Sequence, residues 1–165
     1  MEIAGHIVGA VGIVFFFLSY QIYDKKKLLA VQTIATSIMC LQYLLLGAYS
    51  GFALNVVCLI RNFFFYNRGK KFFSGNHWPV LFALAMAAVS LLSWDGWHSL
   101  FIIAGLMINT LCLGFCNSQD LRKSILLTCP MIIVYNCFEL SIAGIISESI
   151  SMISAGIGII RYRKA

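Results

Sequence analysis

The sequence predicts an all-α, polytopic membrane protein: seven transmembrane helices, arranged as two parallel three-helix bundles joined by a linker helix. Three observations predict this. The chain of 165 residues is 61% hydrophobic and 11% charged, with a mean hydropathy of +0.89, too little polar surface for a soluble domain of this length to cover its core. Seven apolar stretches stand near the ~17–25 residues that cross a bilayer. The basic residues occupy alternate connections. High apolar content without low-complexity tracts also excludes disorder.

The first stretch runs over 5–22. Glu2 precedes it and lysines follow it, the reverse of a signal peptide's charge order, so it reads as a retained span. Asp24-Lys25-Lys26-Lys27 reads as a turn at the membrane surface, where lysines meet water and anionic headgroups. The second and third spans are 28–46 and 51–67. The fourth, 79–93, is short. Trp78 and Trp94 bracket it, and Trp97 and His98 follow, in the manner of an interfacial aromatic belt; an outer lid formed by 94–99 is the competing reading. The fifth span is 98–116. The sixth is 124–142, where Pro130 can kink the helix near its cytoplasmic end. The seventh, 145–160, is again short. The units are then 1–77 (first bundle and cytoplasmic loop), 78–97 (linker helix and outer loop) and 98–165 (second bundle).

Twelve Lys and Arg against six Asp and Glu give a net charge of +6. No basic-aromatic soluble module accompanies them, so nucleic acid is not an expected partner. Their placement explains them instead. Lys25–Lys27, Arg61, Arg68, Lys70, Lys71, Arg122, Lys123, Arg161, Arg163 and Lys164 fall on or near one side, while 47–50, 94–97 and 143–146 have none. The positive-inside rule then puts the N-terminus outside and the C-terminus in the cytoplasm. Arg61, two turns before the end of its span, is expected to snorkel to the cytoplasmic interface.

An ungapped slide of 96 residues superposes Asp24 on Asp120, Lys26 on Arg122 and Lys27 on Lys123. It implies two halves of equal orientation, related about an axis along the membrane normal, which is a transporter architecture. Gly5, Gly9 and Gly12, then Gly105, mark helix-packing faces. Polar residues follow the slide. Gln32, Thr36, Met39 and Tyr43 share one face of the second span, opposite Thr128, Ile132, Tyr135 and Glu139 on the sixth. Asn55, Cys58 and Asn62 on the third correspond to Ser151, Ser154 and Gly158 on the seventh. Polar side chains in hydrocarbon face a bundle interior or a watery cavity, so these stripes either line a solute path or only join helices. Asn55, a mid-span amide, is the first candidate for solute contact, with Asn62, Gln32, Thr36, Tyr43, Tyr135, Glu139 and Ser151 beside it. Glu139 and Glu148 lie toward the outer end of the second half, as candidates for proton coupling. Of the two, Glu139 is preferred, because an acid in a helix's first turn, like Glu148, has the helix dipole as a sufficient reason.

Other chemistries find little support. All six cysteines lie within apolar segments, unlike a secreted disulfide framework or a zinc loop. His6, His77 and His98 stand near span ends. No HExxH, no GxSxG and no pair of intramembrane acids at catalytic spacing is present, so neither an enzyme nor a cofactor is expected.

At Gln21-Ile22-Tyr23 and the following lysines, the chain resembles the PQ-loop and SWEET-type transporters. These have two three-helix bundles joined by a linker helix, and a Pro-Gln pair ends the first helix of the bundle. Tyr20 stands in the proline's place, and Cys116-Asn117 replaces both residues in the second half. The SWEET-type asparagine of the third helix is matched by Asn55, while its partner here is Ser151. Nearly the whole chain also resembles the YgjV-type bacterial inner-membrane proteins, a likeness that implies a multi-pass inner-membrane location and no particular solute. The expectation is a transporter or facilitator for a small polar solute, with the lipid bilayer as its surroundings and self-association compatible with the architecture. The alternative is a non-transporting scaffold or accessory subunit.

Overall fold

The computed structural model describes residues 2–162, which form helices and, among the described residues, no strand. In order these are α1 (Glu2–Tyr20), α2 (Lys25–Leu45), α3 (Tyr49–Tyr66), α4 (His77–Leu91), α5 (Ser99–Phe115), α6 (Ser118–Phe138) and α7 (Ile142–Arg161). Each expected span has its helix. Lys25–Leu45, Ser118–Phe138 and Gly144–Arg161 are long and apolar enough to cross a membrane by length and composition, and the other apolar helices are shorter. At ~1.5 Å per residue, α2 and α6 are ~31 Å long, close to the ~30 Å of a hydrocarbon core.

Large apolar side chains cover the surface, and many polar ones are buried beside an apolar core. Ile7, Val14, Leu84 and Leu127 are exposed, while Arg61, Asn62, Thr110, Arg122, Thr128 and Ser154 are buried. A water-soluble chain does the reverse; hydrocarbon outside and polar contacts inside account for this one.

The starts of α2 and α6 are drawn by side-chain caps rather than by hydropathy. The Asp24 carboxylate accepts the Lys27 N–H at 2.9 Å, satisfying an amide that a helix start leaves without a partner. The three lysines are therefore the first turn of α2, not a separate turn. Asn117 does the same for α6, accepting the Asp120 N–H at 2.8 Å. That helix begins six residues before the expected 124, and Asp120, Arg122 and Lys123 belong to its first turns. Pro130 accordingly falls near the middle of α6, which runs through it unbroken.

The caps correct the register between the halves. Lys25 opens α2 and Ser118 opens α6, while Tyr49 opens α3 and Ile142 opens α7, each pair 93 residues apart. The charge match gave 96. A three-residue slip is close to one helical turn, so it kept the face and misassigned the partners. At a spacing of 93, Asn55 corresponds to Glu148 and Cys58 to Ser151. Packing follows the same spacing. Gly12 meets Met39 as Gly105 meets Ile132, and Gly51 meets the Tyr43 ring as Gly144 meets the Asn136 side chain. A methyl group on any of these glycines would lie between 2.6 and 3.1 Å from its neighbour. Gly5 and Gly9 pack on Leu46 and Gln42 of α2, as the small-residue pattern predicts.

The helices pack in chain order, each on the next, and α1 also packs on α7 to close a ring. α4 leans mainly on α5 and more lightly on α3. The end that gathers the lysines is filled by Leu28, Leu29, Phe65, Phe82, Leu113 and Leu121.

Two cations fasten that end. The Arg122 Nε donates to the Tyr20 carbonyl at 2.8 Å, and its Nη2 to the Ile22 carbonyl at 2.6 Å. Its guanidinium also lies 5.0 Å from the centre of the Tyr162 ring. From the other half, the Lys25 Nζ donates to the Cys116 carbonyl at 2.6 Å. Each cation thus meets carbonyls at or just beyond a helix C-terminus, where positive charge is favoured. Sequence reasoning treated Arg122 as a surface charge; it is fully buried.

Candidate functional site

Inside the ring is a cavity of about 440 Å³, with lining side chains from all seven helices. It runs from His6, Leu46 and Ser141 at the end opposite the lysines down to Tyr20, Arg61, Leu113 and Ile125. There the leucine and phenylalanine layer begins.

The structure brings together most of the polar stripe. Gln32, Thr36, Met39, Tyr43, Asn55, Cys58, Asn62, Thr128, Ile132 and Ser151 all line the cavity. The spacing of i, i+4 and i+7 on α2 holds its contributors on the inner face, and Gly51 lets α3 approach the Tyr43 ring closely. The Asn55 Nδ2 donates to the Gly51 carbonyl of its own helix at 2.9 Å. It is therefore not tied to a neighbouring helix by that donor.

Tyr135 and Glu139 depart from expectation, for neither is a lining residue. Glu139 is the C-cap of α6, and its Oε1 lies 3.1 Å from the His98 Nε2. The His98 ring faces Tyr135 at 5.9 Å and stacks on Phe138 at 5.2 Å. The preference between the two acids reverses: Glu148 is the carboxylate on the cavity. The slip in register hid this, because it paired Asn55 with Ser151.

Arg61 also departs from expectation. It does not snorkel to the helix end but is buried on the cavity wall. Its Nη1 donates to the Thr110 Oγ1 at 2.9 Å, while Nε and Nη2 reach the Asn62 Oδ1 at 3.3 and 3.1 Å. The Asn62 Nδ2 is buried and has no hydrogen-bond partner. Tyr20, Gln32, Cys129 and Glu148 line the same cavity. Among the described residues, the cavity wall carries one guanidinium, Arg61, and one carboxylate, Glu148, with neutral hydrogen-bonding side chains beside them.

Sequence reasoning missed Tyr20, Gln42, Asn109 and His6, which also line the cavity. The signal that could have found Tyr20 and Asn109 is their place on α1 and α5, whose inner faces the small-residue pattern marks. Among the described residues, one cluster could hold a metal ion: ligand atoms of Asp95, His98 and Glu139 lie within 4.8 Å of one another, at the end that carries Trp94 and Trp97. All six cysteines are free.

Comparison with known proteins gives one match. A family model described as bacterial inner membrane protein, Imp-YgjV, matches residues 3–165. No curated protein and no solved structure matches the chain.

Proposed function

The chain belongs to the Imp-YgjV family of bacterial inner membrane proteins, and from that premise we propose that it is a transporter or facilitator carrying a small polar solute between its two halves. The observation that carries this reading is the cavity itself. In a bundle whose outer surface is apolar, polar side chains from both halves converge on one space. A volume of about 440 Å³ falls in the ~300–1,000 Å³ range of small-ligand sites. Packing alone would fill such a space with apolar side chains, since unfilled and polar interiors both cost stability.

The proposal extends to orientation. The lysine-bearing end faces the cytoplasm under the positive-inside rule, so the cavity reaches toward the outer side and is closed by the leucine and phenylalanine layer on the inner one. The likeness to PQ-loop and SWEET-type transporters supports the same reading by analogy of architecture.

A second reading, a scaffold or accessory subunit, draws on the hydrogen bond that Arg61 makes to Thr110, which joins α3 to α5 without a solute. Reconstitution separates the two. The purified protein in proteoliposomes is expected to accelerate uptake of at least one radiolabelled polar solute over empty vesicles. Uptake no faster than in empty vesicles across sugars, polyols, amino acids and small organic acids would leave the scaffold.

A further inference from the structure

We propose that the solute is a small zwitterion bearing a carboxylate and an ammonium group, as a free amino acid does, with the carboxylate held by Arg61 and Asn62 and the ammonium by Glu148. This rests on the reading of the cavity as a solute site.

The first argument is the state of Arg61. A guanidinium offers five N–H donors, and those in use meet only neutral acceptors, Thr110 and Asn62. The ion pairs among the described residues, His98 with Glu139 and Lys123 with Asp120, lie elsewhere. A cation buried among neutral partners in an apolar bundle calls for a counter-charge.

Asn62 supplies the second, independent argument. Arg61 occupies its Oδ1, which turns the amide so that Nδ2 is the free group. That Nδ2 is buried and has no partner. A buried donor without an acceptor costs free energy, and here it stands beside a cation on the cavity wall. A single acceptor with negative charge would satisfy both groups. The planar fork of arginine selects a carboxylate well.

Glu148 is the third. Among the described residues, no other acid lines the cavity. The spacing of 93 puts it level with Asn55, six residues from Arg61 along the parallel helix, which is ~9 Å of rise. Side chains on both of these parallel helices lean toward the N-terminus, and arginine is the longer of the two, so its head is carried toward the Glu148 level. A polyol would leave both charges unmatched. A simple anion would meet repulsion from Glu148, and a simple cation from Arg61. A zwitterion matches both and adds no net charge to the bundle.

The test is binding by the intact protein purified in detergent, measured by calorimetry. Each of the twenty proteinogenic L-amino acids is titrated singly, with glucose and erythritol as uncharged probes. The tightest amino acid is then compared with its N-acetyl derivative, which lacks the ammonium, and its methyl ester, which lacks the carboxylate. At least one amino acid is expected to bind, and each derivative at least tenfold more weakly. In Glu148→Gln the tenfold advantage over the N-acetyl derivative should vanish; in Arg61→Lys the advantage over the methyl ester should shrink. The comparison of derivatives on the parent protein stands even if a variant fails to fold. Binding by none of the twenty, or equal binding of either derivative, overturns the proposal. Zwitterion binding without uptake into vesicles would remove transport and leave this site; uptake of a polyol with no amino acid binding would do the opposite.

Discussion

Gly47 and Leu140 hold the same left-handed backbone position in the two halves, with φ of 69° and 52°. Each follows the C-cap of its helix, and the next N–H folds back onto the helix: Ala48 to the Tyr43 carbonyl at 3.0 Å, Ser141 to the Asn136 carbonyl at 2.9 Å. This is the Schellman closure, whose left-handed residue is ordinarily glycine. The second half keeps the geometry and lacks the glycine.

Leu140 therefore carries strain of about 1 kcal/mol, and its side chain is 84% exposed, so little packing offsets it. Leu140→Gly is expected to raise stability by roughly 0.5–1 kcal/mol, and Gly47→Leu to lower it by about as much. Unfolding in mixed detergent micelles would measure both; destabilisation by Leu140→Gly would show that the leucine contacts matter more than the backbone.

Arg122 is expected to be a stability residue. Lysine can replace one of its two bonds to the α1 terminus but not the fork, so Arg122→Lys should cost about 2 kcal/mol. A methyl group on Gly158 would lie 2.6 Å from the Arg122 Nε and 2.7 Å from the Tyr20 carbonyl, so Gly158→Ala should damage the same contact. The double variant should then lose less than the sum of the two. Strict additivity would mean that the two substitutions act at separate places.

Asn55 and Glu148 are the pair to compare in transport. Asn55→Ala loses only a bond within its own helix and should fold at a cost under about 1 kcal/mol, while slowing uptake. Glu148→Gln should also slow uptake, and Glu139→Gln should leave the rate unchanged. Uptake unaltered in the first two variants would remove these residues from the path.

A pH profile gives an independent check on Glu148. Tyr20 of α1, Tyr43 of α2, Cys129 of α6 and His6 of α1 line the same cavity. Protonating Glu148 removes the charge that holds the ammonium, so uptake should fall as external pH falls. The acid limb should flatten in Glu148→Gln and persist in His6→Gln. A limb that follows His6 instead would assign the titration to the histidine.

The reporter test of orientation is direct. Fusions after Lys164 should be active only in the cytoplasm, because the basic end gathers Lys25–Lys27, Arg68, Lys70 and Lys71. A fusion active on the outer side would invert the whole arrangement.

Element number and order were legible because hydropathy marks helices at membrane length. The inner face of α2 was legible because helical spacing survives without knowledge of neighbours. Two things were not. Register was set by caps, Asp24 and Asn117, whose likeness is geometric: an aspartate and an asparagine accept the same N–H while sharing no charge. The charged Asp120 lies three residues beyond the true cap and drew the match toward itself. The fates of Arg61 and Arg122 were also hidden. Charge and position near a helix end are the same for an arginine that snorkels and for one that is buried. Only the facing partners, Thr110 for one and the α1 carbonyls for the other, tell them apart.

A ring closed in chain order also sets a sequence of events in time. As the polypeptide is made, each helix from α2 to α6 finds the partner synthesised just before it, and such local docking is fast. Among the described helix pairs with extensive contact, α1 with α7 joins the most distant parts of the chain. There the Ser154 Oγ donates to the Phe17 carbonyl at 2.7 Å, and the Gln21 Nε2 to the Ser154 carbonyl at 2.8 Å. Until translation delivers that last helix, the first one keeps an open flank toward lipid and the cavity has a missing wall. α7 is thus a keystone, and a chain halted before residue 142 is a groove in the bilayer rather than a vessel.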